Sequence, residues 1–154
     1  MLYSLLLVLH SWLRWVVVFA GVATVARSAL ASATGGDWEP LDQKLGRGFV
    51  AALDSQVLVG LVLYVISPMT PKSGDDFHTA MAIAPLRFFA VEHATSMILG
   101  LAAAHVAWVR AKKAPDDKAR HRRVAIGFGI ALLLIAAGIP WPGLAYGRPL
   151  VRGF

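Results

Sequence analysis

Four long apolar runs, separated by shorter polar stretches, dominate the pattern of hydrophobic and polar positions along the chain. Each run approaches the ~20 residues that an α-helix needs to cross ~30 Å of hydrocarbon. The third run begins between Ala84 and Phe88, because Pro85 suits a first helical turn, and Pro140 stops the fourth. The pattern predicts an all-α fold, an integral membrane antiparallel four-helix bundle in a single domain over residues 1–154, with helices at about 2–26, 47–66, 86–108 and 124–139.

The stretches between the runs are predicted to be loops, at residues 27–46, 71–78 and 109–123. Glu39-Pro40 breaks the helical periodicity of the first loop. The second loop is polar, and its Asp75, Asp76 and His78 would bind a metal only weakly. The third loop is basic, and its His121 is predicted to contact lipid headgroups.

Composition supports a membrane location and limits the chemistry. The chain is 57% hydrophobic, has a net charge of +6 and contains no cysteine, which excludes disulfides, iron–sulfur clusters and covalent attachment of haem. Ten basic residues lie on the side of the first and third loops, against four on the opposite side. The positive-inside rule then predicts that these loops are cytoplasmic and that both termini lie outside. The basic clusters indicate contact with the lipid bilayer and no binding of nucleic acid.

Ionisable side chains interrupt the apolar runs. Such a side chain at the centre of a membrane helix costs roughly 2.5–3.5 kcal/mol, so it usually marks a functional site. His10 lies roughly 13 Å along the first helix from its outer end, and His93 lies roughly 9–13 Å from the outer end of the third. The two imidazoles are therefore predicted to lie at matched depth on different helices. The runs also contain five further polar side chains that are candidates for a site: Arg14, Asp54, Gln56, Glu92 and His105.

Two imidazoles at matched depth are what a six-coordinate haem b, or another metal between two helices, would require. We expect His10 and His93 to be axial ligands in an apolar slot between the first and third helices, near the outer face. Arg87 and Arg148 lie on the outer side, where they would meet the propionates. The same histidines would also suit a proton relay, or would only hydrogen-bond across a helix interface.

Arg14 needs a partner inside hydrocarbon. Asp54 and Glu92 are the carboxylates well inside the runs, so one of them is the expected partner in a buried polar network. Alternatively, Arg14 contacts a propionate or a quinone carbonyl, or joins both carboxylates in a proton path. Gln56 lies close to the membrane centre and is a further candidate contact of the cofactor. His105 has no partner of matched depth and is predicted to extend toward the inner interface.

Several short motifs together resemble a known family. The segments are Leu9–Trp15, Gln56 followed by Gly60–Tyr64, Arg87 with Glu92-His93, and Ile139–Trp141. They are similar to a family of small four-helix bacterial membrane proteins labelled cytochrome b-like and otherwise uncharacterised. The resemblance spans nearly the whole chain and implies a haem-b-type or redox-associated protein of the bacterial inner membrane. Cytochrome b561 and similar proteins often hold two haems with four histidines, whereas this chain has one matched pair.

One functional hypothesis and two alternatives follow. In the first, the chain is a b-type cytochrome that holds one haem and transfers electrons to or from quinol or a periplasmic partner, with quinone as a further ligand. In this hypothesis the chain would be a subunit of a larger respiratory complex. In the second, it is a non-redox accessory or assembly subunit. In the third, it is a small proton-coupled transporter that uses Arg14, Asp54, Glu92 and the histidines as a relay. Whether the chain is an enzyme stays open.

Overall fold

Four helices that are long and apolar enough to cross a membrane make up most of the structure, a computed structural model that describes residues 1–153. They are α1 (Leu2–Thr34), α2 (Pro40–Ile66), α4 (Ala84–Lys112) and α5 (Asp117–Gly138). A short helix, α3 (Gly74–Ala82), lies between α2 and α4. The part of the chain that the structure describes contains no strand, and it confirms the predicted all-α membrane helical bundle.

The connection between α1 and α2 is shorter than predicted, because both helices extend past the apolar runs. α1 continues to Thr34 and ends at Gly35, whose φ of 75° is a left-handed conformation that glycine adopts without strain. α2 begins at Pro40, since the fixed φ of proline suits a first turn, and a capping box joins Glu39 and Asp42. The predicted helix ends at residues 26 and 47 are therefore wrong: caps, not hydropathy, set them.

Two further stretches that were predicted to be loops are helical. The hydroxyl of Ser73 accepts a hydrogen bond from the backbone nitrogen of Asp76 at 3.1 Å and so begins α3. The carboxylate of Asp116 accepts one from the nitrogen of Ala119 at 2.7 Å and begins α5 well before the predicted start at residue 124. Nowhere in residues 1–153 do three or more His, Asp or Glu side chains form a group that could hold a metal ion, and this includes the acidic turn of α3.

Large buried aromatic side chains fill the bundle toward residues 35–39 and 113–116, an end that we call the basic side. Phe49 on α2 and Phe128 on α5 are fully buried there, with ring centroids 4.7 Å apart. Gly127 lets α5 approach α4 closely, because a Cβ at this position would overlap that of Ala107. By contrast, α2 and α4 pack only lightly against each other, which leaves a seam between them.

Trp38 covers the bundle at the basic side. Its ring centroid lies 4.1 Å from the guanidinium carbon of Arg120 and 4.8 Å from the ring centroid of His121. His121 is fully buried and donates from Nε2 to the carbonyl oxygen of Asp37, 3.2 Å away. The prediction that His121 contacts lipid headgroups is therefore wrong, because the early start of α5 turns this side chain inward beneath Trp38.

Candidate functional site

His10 on α1 and His93 on α4 face each other at the end of the bundle that carries Met1 and residues 139–153, which we call the tail side. Their ring centroids lie 6.2 Å apart, and the ring planes form an angle of 68°. Both side chains are partly buried. Counting residues along the helices predicted similar depth, and the structure adds that the two helices are rotated so that the rings meet.

A π-helical turn precedes His93 and helps to position it. This turn comprises Phe88–Glu92, and such insertions often occur at functional sites. The ring Nδ1 of His93 lies 2.7 Å from the carbonyl oxygen of Gly138 on α5. Since a carbonyl oxygen only accepts, Nδ1 carries the proton and Nε2 keeps its lone pair. A hydrogen bond from the other ring nitrogen to a carbonyl oxygen commonly orients metal-ligating histidines.

Gln56 on α2 holds the ring of His10. Its Nε2 donates to the ring Nε2 and to the backbone carbonyl oxygen of His10, at 3.1 Å each. Gln56 is 4% exposed, and neither its Oε1 nor the His10 Nδ1 has a hydrogen-bond partner among the described residues. Gly60 leaves room for the ring, because a Cβ there would lie 3.1 Å from Cε1 of His10. Because Nε2 accepts from the amide, the neutral His10 ring carries its proton on Nδ1, and Nε2 is the nitrogen with the lone pair.

A cavity of about 330 Å³ lies beside the two histidines. Small-molecule sites typically span roughly 300–1,000 Å³. The wall of this cavity is mainly apolar and includes Leu7, Val17, Leu53, Leu63, Met97 and Ile135. Its polar part includes Tyr3, Gln56, Tyr64, Arg14, Arg148 and Arg152, and among residues 1–153 no carboxylate lines it. The cavity suits an apolar ligand that carries anionic groups.

Arg14 binds the C-terminal segment rather than a carboxylate. Its guanidinium donates to the carbonyl oxygen of Leu150, and Trp15 Nε1 donates to the same oxygen at 2.9 Å. Trp12 Nε1 donates to the carbonyl oxygen of Arg152 at 3.2 Å. These three side chains of α1 hold the segment against the helix, so that Arg152 joins the cavity wall.

The two carboxylates that were expected near Arg14 form pairs of their own. Glu92 accepts a hydrogen bond from Arg87 Nε at 2.8 Å, and Asp54 accepts one from His105 Nε2 at 2.7 Å. The predicted network of Arg14 with Asp54 or Glu92 is therefore wrong, because neither carboxylate lines the cavity. His105, for which the sequence offers no second histidine of matched depth, pairs instead with a carboxylate on α2.

Of the two arginines predicted to meet the propionates, the structure places Arg148 in the cavity wall and leaves Arg87 outside it. The guanidinium carbon of Arg148 lies 5.3 Å from the ring centroid of Phe89. Arg152 and Tyr3 are cavity residues that the sequence reasoning missed. A signal for Arg152 existed, since it is a basic residue close to Arg148 in sequence and past the last apolar run.

α5 ends beside His93, and its last carbonyl groups bind side chains. The oxygen of Leu134 accepts a hydrogen bond from Ser96 Oγ at 2.6 Å, and that of Ala136 accepts one from Trp141 Nε1 at 2.9 Å. The carbonyl group of Gly138, the last residue of α5, has no donor within the helix, and hydrocarbon offers none. The hydrogen bond from His93 is thus part of the cap of α5.

Comparison of the chain with protein families, with curated proteins and with solved structures finds no match.

Proposed function

We propose that the chain is a small b-type cytochrome that holds one haem b between α1 and α4, with His10 and His93 as axial ligands. The observation that carries the proposal is the 6.2 Å separation of the two ring centroids. Metal–nitrogen bonds of about 2.0–2.1 Å place two ligating imidazoles with their centroids about 6 Å apart. Two imidazole rings at this spacing on different helices of a bundle are what a bis-histidine site requires.

The residues of the cavity suit the rest of the haem group. The apolar wall suits a macrocycle and would keep water from the metal. The three arginines of the wall, Arg14, Arg148 and Arg152, would bind the propionates, since each is a cation and no carboxylate within residues 1–153 competes there. Arg87 takes no part in this proposal, because it is paired with Glu92 outside the cavity.

In each histidine, hydrogen bonding decides which ring nitrogen keeps a lone pair for a metal. His93 offers Nε2, because its Nδ1 proton is committed to Gly138. His10 offers Nε2 once the amide of Gln56 turns away, because Nε2 accepts from that amide and keeps its lone pair while Nδ1 carries the proton. Bound there, haem would supply a one-electron carrier. The protein's own contribution is to orient the rings, exclude water and neutralise the propionates.

We further propose that the electrons come from or go to a quinol or a periplasmic partner, and that the chain works as a subunit of a larger respiratory complex. Support comes from the position of the site on the tail side, opposite the basic side. If the basic side faces the cytoplasm of a bacterium, as the positive-inside rule predicts, both termini and the site lie toward the outer face of the inner membrane. The apolar wall of the cavity also suits quinone as a ligand.

The experiment that tests the proposal is an absorption spectrum of the detergent-purified protein, first oxidised and then reduced with dithionite, after expression with ample haem. We expect a Soret band and, on reduction, sharp α and β bands of low-spin haem b. Protein that is folded and colourless would contradict the proposal. Colourless protein that copurifies with a larger membrane complex would instead favour an accessory or assembly role.

A proton-coupled transporter receives less support from the geometry. Its relay would need contact among Arg14, Asp54 and Glu92. Instead, Arg14 donates to the carbonyl oxygen of Leu150 in the C-terminal segment, and the two carboxylates belong to separate pairs.

A further inference from the structure

A polar pair lies on the outer face of the bundle, at the seam between α2 and α4. His105 Nε2 donates to Asp54 Oδ1 at 2.7 Å, and the two side chains are 49% and 47% exposed. The pair is separate from the cavity, which neither residue lines. About half of each polar side chain therefore faces whatever surrounds the bundle.

The surroundings at this depth would be hydrocarbon if nothing covered the seam. Asp54 lies seven residues after Arg47, and His105 lies five residues before Arg110, which places both roughly 7–11 Å along their helices from the flanking basic residues. Ionisable residues inside membrane spans almost always face protein or a water-filled cavity, because hydrocarbon solvates them poorly. Another protein surface is therefore expected to cover this face.

The residues around the pair have the spacing of a helix-packing surface. On α2, exposed positions recur at intervals of three and four, at Ala51, Asp54, Leu58, Leu61 and Val65. On α4 the same spacing recurs at exposed Thr95, Ile98, Ala102, His105 and Val109. Intervals of three and four are the pattern of helices that pack lengthwise, and a small residue near the pair on each helix permits close approach.

We propose that this face, which we call the seam face, binds a second copy of this chain. A twofold axis brings the same face of both copies together, so each contact occurs twice. The seam face carries one acidic and one basic side chain, so Asp54 of each copy meets His105 of the other. Charge complementarity of this kind makes the face complementary to itself, and four polar side chains become buried among protein groups.

The test uses two variants that each exchange one member of the acid–base pair for the other, Asp54→His and His105→Asp. In either variant alone the seam face carries two side chains of the same kind, and we expect dimerisation at least about tenfold weaker than that of the original chain. When the two variants are coexpressed with different tags, opposite side chains meet again across the axis. Copurification and native mass spectrometry should then show mainly mixed dimers. Asp75→His on α3 is the matched control and should leave dimerisation unchanged.

A second measurement does not depend on charge reversal. Because the chain has no cysteine, Leu58→Cys can be introduced in one tagged copy and Ala102→Cys in a second, each about one turn from the polar pair, with Phe19→Cys on the exposed face of α1 as a control. Oxidation of the coexpressed copies in lipid vesicles should cross-link Leu58→Cys of one copy to Ala102→Cys of the other, because α2 of one copy faces α4 of its partner, and should leave Phe19→Cys monomeric. Monomers throughout would overturn the proposal. So would a seam face that cross-links only to a different membrane protein, or mixed dimers no more abundant than those of either variant alone.

Discussion

His93 donates from Nδ1 to the carbonyl oxygen of Gly138, 2.7 Å away, at the point where α5 ends. This hydrogen bond has two consequences. It satisfies a carbonyl group of the last helical turn, which hydrocarbon could not do. It also sets the tautomer of the imidazole, so that Nε2 keeps the lone pair that a metal would use. The end of α5 thereby sets the tautomer of His93 on the neighbouring helix α4.

Gln56 is expected to stabilise the fold through His10. In Gln56→Leu, the backbone oxygen and the ring nitrogen of His10 lose their donor in a buried place, and we expect a loss of about 1–3 kcal/mol in the free energy of unfolding. Thermal unfolding of the purified protein in detergent, followed by circular dichroism, measures this change. The control is Ser55→Ala, whose hydroxyl bonds only within its own helix, to Ala51. Equal effects in both variants would contradict the role given to Gln56.

Two glycines on α5 should respond in opposite directions to the same substitution. Gly127→Ala places a methyl group against Ala107 where the helices touch, and we expect a loss of about 1–3 kcal/mol from overpacking. Gly129→Ala meets nothing within 4 Å, so the better helix propensity of alanine should stabilise the protein by roughly 0.5–1 kcal/mol. Midpoints of unfolding in detergent measure both changes. A stabilised Gly127→Ala variant would show that α4 and α5 pack less closely than described.

If haem binds as proposed, the cavity arginines should raise its reduction potential. Replacing Arg148 or Arg152 by glutamine removes a cation beside the haem. This removal favours the oxidised haem, because that form is the more positive one. We expect the midpoint potential in a redox titration to fall by roughly tens of millivolts. Arg87→Gln is the control and should shift the potential less, because Arg87 is paired with Glu92 and lies outside the cavity. A larger shift in Arg87→Gln than in the Arg148 and Arg152 variants would indicate that the propionates bind outside the cavity, near Arg87.

Much of the helical architecture could be predicted from the sequence, because apolar runs of about 20 residues have few other uses. The helix ends could not be predicted from hydropathy. Those of α1 and α2 depend on Gly35 and on the box of Glu39 and Asp42, which act through local hydrogen bonds and backbone conformation. Similarly, the hydroxyl of Ser73 begins a helix in a stretch whose polarity predicted a loop.

The sequence could predict only the depth of the two histidines along their helices. Counting residues placed His10 and His93 at similar levels, but helix rotation, which brings the rings to 6.2 Å, depends on packing around the whole bundle. The partner of Arg14 was not predictable either. Its acceptor is a backbone oxygen 136 positions later in the chain, and backbone acceptors leave no mark in a sequence.

The central claim, that His10 and His93 together hold one haem, is tested most directly by difference spectra, reduced minus oxidised, of His10→Ala, His93→Ala and His105→Ala. All three variants remove an imidazole from a membrane helix, but His105 lies at the seam face, away from the cavity. We expect the low-spin α band to disappear in His10→Ala and His93→Ala and to persist in His105→Ala. An unchanged α band in folded His10→Ala and His93→Ala protein would contradict the account.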